Sequence, residues 1–152
     1  MVKKVVLVKI AERQFLIEAT QRRVWDLLGS ALLNSPLGLE KLDVLDETHV
    51  RAEIRLKFAF ITVPTHLTVV FLELIEPNRM VTAVQAKAWG GLIQLKQRVT
   101  FTLSPLGDRT EVRCETLAEG NNPILFRLLV GKVRNVAGAT LACIEEILRR
   151  TA

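Results

Sequence analysis

A chain of 152 residues has the size of one domain and is long enough to bury a core. Hydrophobic residues make up 49% of it and the mean hydropathy is +0.27, yet charges interrupt every apolar run well before the ~18–20 residues that a membrane span requires. The net charge of +5 is spread over scattered lysines and arginines, a pattern that argues against nucleic acid as the partner and permits an acidic protein or an anionic membrane surface.

Met1-Val2-Lys3-Lys4 followed by Val5 to Val8 has the outline of a signal peptide, but Lys9, Glu12 and Arg13 end the apolar run, and the expectation is a mature, cytoplasmic start. Thr20 is a good helix N-cap. Val24, Leu27 and Leu28 then recur at helical spacing until Gly29, predicting a short amphipathic helix from Ala19 to Leu28. Ser30 to Asn34 reads as a second helical turn, ended by the turn formers Ser35-Pro36-Leu37-Gly38.

From Leu39 to Glu119 the period becomes two, and five or six strands follow one another. Leu39 to Leu45 is the first, turned by Asp46-Glu47-Thr48. Next comes the cleanest alternation in the chain, in which Val50, Ala52, Ile54, Leu56, Phe58 and Phe60 interleave with Arg51, Glu53, Arg55 and Lys57. Val63-Pro64 is expected to break this strand, and Thr65 to Ile75 to form its successor. Glu76-Pro77-Asn78-Arg79 is a turn by residue chemistry, and Met80 to Ala88 is the following strand. Gly90-Gly91 reads as a hairpin turn, Ile93 to Leu103 as a strand, Pro105-Leu106-Gly107-Asp108 as a turn and Arg109 to Leu117 as the last strand. Connections this short make sequence neighbours pair antiparallel.

After Gly120-Asn121-Asn122-Pro123 the period returns to about 3.6, with Leu129, Val133, Val136, Thr140, Ile144 and Ile147 on one stripe of a helix running to about Arg150. At 1.5 Å per residue such a helix spans roughly 40 Å, enough to cross the whole sheet. The small residues Gly131, Ala137, Gly138, Ala139 and Ala142 leave room beneath it. The fold class is therefore α+β, a curved antiparallel sheet around a long C-terminal helix, in one domain over residues 1–152.

The chemistry-bearing patterns are few. Cys114 and Cys143 lie far apart with no histidine beside them, which points to free thiols and to neither a metal site nor a disulfide. The chain has no nucleophile elbow, no paired carboxylates inside an apolar run and no phosphate-cradling glycine loop, so no catalytic residue and no cofactor is assigned. Glu73 stands within an apolar strand and reads as facing water.

The order of elements and three short stretches resemble the START-like superfamily, also called the polyketide cyclase or Bet v 1-like (SRPBCC) group. Phe15-Leu16-Ile17-Glu18-Ala19-Thr20 running into Val24-Trp25 is similar to the family's strand entering a helix with a Val-Trp pair. Leu74-Ile75-Glu76-Pro77-Asn78-Arg79 resembles its turn before the middle strand, and Gly107-Asp108-Arg109-Thr110-Glu111-Val112 the entry to its last strand. Within the group the chain looks most like the carbon monoxide dehydrogenase G-subunit branch, through Trp25-Asp26-Leu27-Leu28, Gly38-Leu39-Glu40-Lys41-Leu42 and the helix tail.

The resemblance implies a helix-grip fold, with short helices after the first strand and an apolar cavity between sheet and C-terminal helix. The scaffold hosts lipid carriers, cyclases, hormone receptors and co-chaperones alike, so it implies fold more sharply than activity. Alternation independently nominates the cavity walls: Leu56, Phe58 and Phe60 from one strand, Val84 and Ala86 from another, Leu95, Val99 and Phe101 from a third, and Leu129, Val133 and Val136 from the helix. His66 shares parity with Thr68, Val70 and Leu72, and either faces the cavity or sits solvated at a strand end. Gln97, the polar exception beside Leu95 and Val99, either orients a ligand or holds water at the rim. Trp89 gates the mouth or caps a hairpin.

Three functions follow as expectations. The first is non-enzymatic binding or transport of a lipid, isoprenoid or quinone. The second is an accessory role in maturing a carbon monoxide dehydrogenase-type molybdenum hydroxylase, and the third is cyclase-like catalysis. The basic residues Arg127, Lys132 and Arg134 of the last helix form either a solvated helix face or a patch toward an acidic protein or a membrane surface.

Overall fold

The computed structural model describes residues 8–33, 40–44, 49–58, 61–88, 91 and 93–152. The elements are β1 (Val8–Ile17), α1 (Gln21–Leu33), β2 (Glu40–Val44), β3 (His49–Phe58), β4 (Ile61–Ile75), β5 (Arg79–Ala88), β6 (Ile93–Leu106), β7 (Arg109–Gly120) and α2 (Pro123–Thr151). The strands form one curved antiparallel sheet in the order β1-β7-β6-β5-β4-β3-β2. Strands β2 to β7 are the expected meander. The pairing of β1 with β7, from Val8↔Ala118 to Ile17↔Thr110, joins segments from opposite ends of the sequence.

Three expected boundaries move, each for a local reason. Helix α1 starts where Thr20 predicts, its hydroxyl accepting from the Arg23 amide at 3.4 Å, but it runs through Gly29 to Leu33 as one helix. An interior glycine costs only about 1 kcal/mol against alanine, and the complete burial of Leu28 and Ala31 on either side outweighs that. Strand β4 runs through Pro64, because its register with β3 continues without a break from His49↔Val70 through Arg55↔Pro64 to Phe58↔Ile61. The β6–β7 hairpin narrows to Gly107-Asp108, with Gly107 at φ 64°, where a side chain would be strained.

Register and burial together define the two faces of the sheet. Side chains of directly paired residues lie on the same face. The rows Met80–Phe101–Cys114 and Thr82–Val99–Thr116 across β5, β6 and β7 point to the helices, while Arg79–Thr102–Arg113 and Gln85–Lys96–Glu119 point away. On the concave face α2 packs on β1 and β7, with α1 beside it. Phe15 and Ile17, Val24, Trp25 and Leu28, Phe101 and Leu103, Val112 and Cys114 close around Leu141, Ile144 and Leu148 of α2. Full burial of an aliphatic or aromatic side chain contributes roughly 1.5–3 kcal/mol, so this cluster is the main source of stability.

Polar ties fix the ends of this core. Thr110 Oγ1 donates to the Ala19 carbonyl at 2.8 Å, joining β7 to the β1–α1 junction. Gln21 Nε2 donates to Asn78 Oδ1 at 2.7 Å and to the Leu103 carbonyl at 3.0 Å, pinning α1 over the β4–β5 turn. On the edge strand β1, Arg13 reaches α2 and meets Glu145 at 2.6 Å, while Arg149 meets the other oxygen of that carboxylate at 2.9 Å. Burial of Glu145 beside the helix favours its neutral form, but the hydrogen bonds and charges of Arg13 and Arg149 outweigh it and hold the carboxyl below its ordinary value of 4.5.

Candidate functional site

The site is set by how α2 begins. Asn122 caps the helix, its Oδ1 accepting from the Ile124 amide at 3.0 Å, and Pro123 takes the first turn, where an N–H would have no partner. Asn121 clips this start to β6: its Oδ1 accepts from the Gln94 amide at 3.0 Å and its own amide donates to the Gln94 carbonyl at 3.2 Å. Gly120 lets the first turn approach, since a Cβ there would stand 2.9 Å from Phe126 Cβ. The first half of α2 is thereby held over β1, β7 and the near end of β6, with Phe126, Val130 and Val133 against Ile10, Ala118 and Leu95.

Beneath and beside this half of the helix, the concave face is apolar but only half-buried. Val69 of β4, Val84 and Ala86 of β5, and Leu95 and Val99 of β6 keep accessible surface while facing the helix side of the sheet, as does Val133 on the side of α2 that faces them, with Val136 half-buried at its flank. The same face is solid elsewhere, with Phe101, Val112 and Cys114 carrying no accessible surface. Apolar side chains directed inward and left accessible are what a bound hydrophobic molecule would cover.

The polar groups on this face are few. Gln97 lies in register between Val84 and Ala118, half-buried and pointing inward. One row away Thr82 is buried between Phe71 and Val99, and its Oγ1 has no hydrogen-bond partner. Along the inward positions of β4 to β7 the remaining polar side chains are Thr65, Thr110, Thr116 and Cys114. Burial pushes the Cys114 thiol from 9.0 up to about 12, against the opposing charge of Arg13, so it stays protonated and unreactive near neutrality. The arrangement can hydrogen-bond a carbonyl or hydroxyl, and it sets no ionised side chain on these inward positions.

The expected wall residues divide accordingly. Val84, Ala86, Leu95, Gln97, Val99, Val133 and Val136 fall on the half-buried concave face or the helix above it. Phe101 is packed inside the solid core, which corrects its assignment as a cavity wall. His66 is also corrected: it pairs in register with Lys87 and Glu53 on the convex face and is exposed, whereas Thr65, Leu67, Val69 and Phe71 take the inward positions. Leu56 and Phe58 pair with Val63 and Ile61 along β3, and Leu129 lies within α2, described in each case as backbone. Phe60 and Trp89 lie outside the described residues.

Thr82, Val69 and Phe71 are further candidate site residues: Thr82 shares the parity of Val84 and Ala86 on β5, whereas Val69 and Phe71 are placed by the register of β4. Strand β4 is apolar on both faces only from Val69 to Leu72, where parity comes from the register with β3 and β5. Among the described residues, no three His, Cys, Asp or Glu side chains converge as metal ligands, and no helix is long and apolar enough to cross a membrane.

No protein-family model matches the sequence, and no curated protein matches it. Solved structures do match. A START superfamily protein from Mycobacterium smegmatis superposes with a TM-score of 0.64 at 15% identity, covering 91% of this chain and 93% of that one. Norcoclaurine synthase from Thalictrum flavum gives 0.63 at 14% identity, over 96% of this chain and 86% of that one. The di-domain ARO/CYC StfQ from the steffimycin biosynthetic pathway gives 0.64 at 11% identity, over 97% of this chain and 51% of that one. At such identities the likeness is one of architecture, and it runs along nearly the whole chain. The curved sheet gripping a long C-terminal helix is the helix-grip fold shared with these proteins.

Proposed function

We propose that this chain belongs to the START-like superfamily and binds or carries a hydrophobic small molecule, of the lipid, isoprenoid or quinone class, without transforming it. The carrying observation is the contrast on one face: inward apolar residues such as Val84, Leu95 and Val133 stay half-accessible, while their neighbours Phe101 and Val112 are sealed. Covering that surface with a ligand would contribute about 25 cal/mol per Å² of apolar area removed from water. Gln97 and Thr82 would supply orientation. Two proteins of the same fold, a norcoclaurine synthase and an ARO/CYC, bear names of small-molecule enzymes, which supports a small-molecule site on this architecture. Cyclase-like chemistry needs convergent acid and base groups, and the hydroxyls and amide along β4 to β7 favour binding instead. The setting we propose is the cytoplasm.

The accessory role in maturing a molybdenum hydroxylase keeps a narrower basis. Of the Trp25-Asp26-Leu27-Leu28 stretch behind it, Trp25 and Leu28 are core, so they report fold more than partner recognition. Native mass spectrometry of protein purified from its own host, followed by organic extraction, is the test. A stoichiometric apolar passenger is the expected result. A clean apo mass together with no uptake from a lipid and quinone panel overturns the proposal. Leu95→Arg should abolish uptake with the fold preserved, because Leu95 is half-accessible.

A further inference from the structure

The outer side of α2 at its start carries a feature that ligand binding does not use. Phe126, Val130, Val133 and Ala137 face the sheet, and diametrically opposite them Ile124 is 73% and Leu128 75% exposed, the most exposed of the large hydrophobic side chains described. Residues four apart share a helix face, so these two form one apolar stripe over the first turns. Arg127 and Arg134 flank the stripe on one side and Lys132 on the other, all exposed. Between Glu119 and Glu145 the chain has no acidic residue, so nothing on α2 offsets these charges until its last two turns. Arg127 is placed against the helix dipole, an arrangement that an internal stability argument does not favour.

We propose that this end of α2 is a docking surface for an anionic lipid bilayer. An apolar stripe flanked by cations on both sides is the design of an interfacial helix, whose apolar residues enter the headgroup boundary while basic side chains extend to lipid phosphates. An acidic protein would satisfy the charges but would also have to supply a pocket for each of the two protruding aliphatic side chains, Ile124 and Leu128; a bilayer takes up both without one. The surface lies above the half-accessible concave face, on the same half of the helix.

The test is co-sedimentation of the full chain with vesicles of phosphatidylcholine alone and of phosphatidylcholine mixed with phosphatidylglycerol, at low and high salt. Binding is expected to the anionic vesicles and to weaken with salt. Ile124→Ser with Leu128→Ser should lower the partition by about tenfold or more, because the apolar insertion is removed. Arg127→Gln, Lys132→Gln and Arg134→Gln should each cost about fivefold on anionic vesicles only. All five positions are exposed, so the variants should fold, which circular dichroism and thermal melting would verify. Equal binding to both vesicle types, or no loss in the double serine variant, overturns the proposal. Soluble polyglutamate binding that needs the three basic residues, with no vesicle binding, also overturns it and assigns the surface to an acidic protein. The assay contains no passenger molecule, so its failure is separate from failure of the ligand-binding proposal.

Discussion

The two halves of α2 face the same sheet with the same periodicity, yet from Ala137 to Leu148 the inward stripe of Ala137, Leu141, Ile144 and Leu148 is buried, whereas Phe126, Val130, Val133 and Val136 are only half so. The difference is α1. Val24, Leu28 and Ala31 stand beside the second half, and Arg23 donates to the Thr151 carbonyl at 3.1 Å, so that half is enclosed by sheet on one side and helix on the other. Among the described residues the first half has sheet alone. Burial among the described residues therefore follows the number of elements that meet at a point, and the half-accessible end is a property of the layout rather than of weaker hydrophobicity.

The sharpest way to break this comparison is truncation on both sides of it. Leu148→Ala should cost about 2–5 kcal/mol in urea unfolding, whereas Val133→Ala should cost about 1 kcal/mol or less. Equal losses would mean that the two halves are packed alike. Gly120→Ala comes next, at about 1–3 kcal/mol, because its new Cβ must displace the first turn of α2 through Phe126. If the junction sets the site, this variant should also change uptake of apolar probes, while Gly131→Ala, in open space on the outer helix face, should not. Thr82→Val is smaller and of opposite sign. Removing a buried hydroxyl that has no partner should leave thermal stability unchanged or raise it by up to about 1 kcal/mol, and should weaken binding of oxygenated ligands relative to hydrocarbons.

The smallest effect expected concerns pH. The Glu145 carboxyl is held below 4.5, so the stabilisation from Arg13 and Arg149 is complete above that value and is lost as pH falls through the lowered one. Glu145→Gln should flatten the acid limb of the stability profile and leave the region above pH 4.5 without slope from this site. An unchanged acid limb would show that the pair contributes nothing.

Much of the fold is legible in the sequence because strand and helix periods differ and the turns carry distinctive residues. The Glu76-Pro77-Asn78-Arg79 turn and the extent of β3 and α2 stand close to where the pattern puts them, but the inward stripe of α2 is Val130, Val133, Ala137, Leu141, Ile144 and Leu148, which shares only Val133 and Ile144 with the expected one. What the pattern lacks is long-range information. Gly29 and Pro64 read as stops because their local preference is unfavourable, and tertiary pairing or packing overrides it in both cases. The site is half legible for the same reason. Val84, Leu95 and Gln97 sit on strands with one polar face, so alternation suffices; β4 is apolar on both faces from Val69 to Leu72, and its register with Glu53 and Lys87 is what sets His66 on the convex side. The solid end of the core and the half-accessible end are indistinguishable in sequence, since Phe101 and Leu95 belong to one alternating run.

The pairing of β1 with β7 has a consequence for how the chain is made. Residues 8–17 leave the ribosome before any other described element, but their only described sheet partner, residues 110–118, is synthesised after five of the other strands. Local contacts thus cannot complete the fold, and closure waits on a contact of high sequence separation, the kind that slows folding. During that interval β1 is an unpaired strand, and its lysine, glutamate and arginine at Lys9, Glu12 and Arg13 give it the charged edge that discourages pairing with the wrong chain.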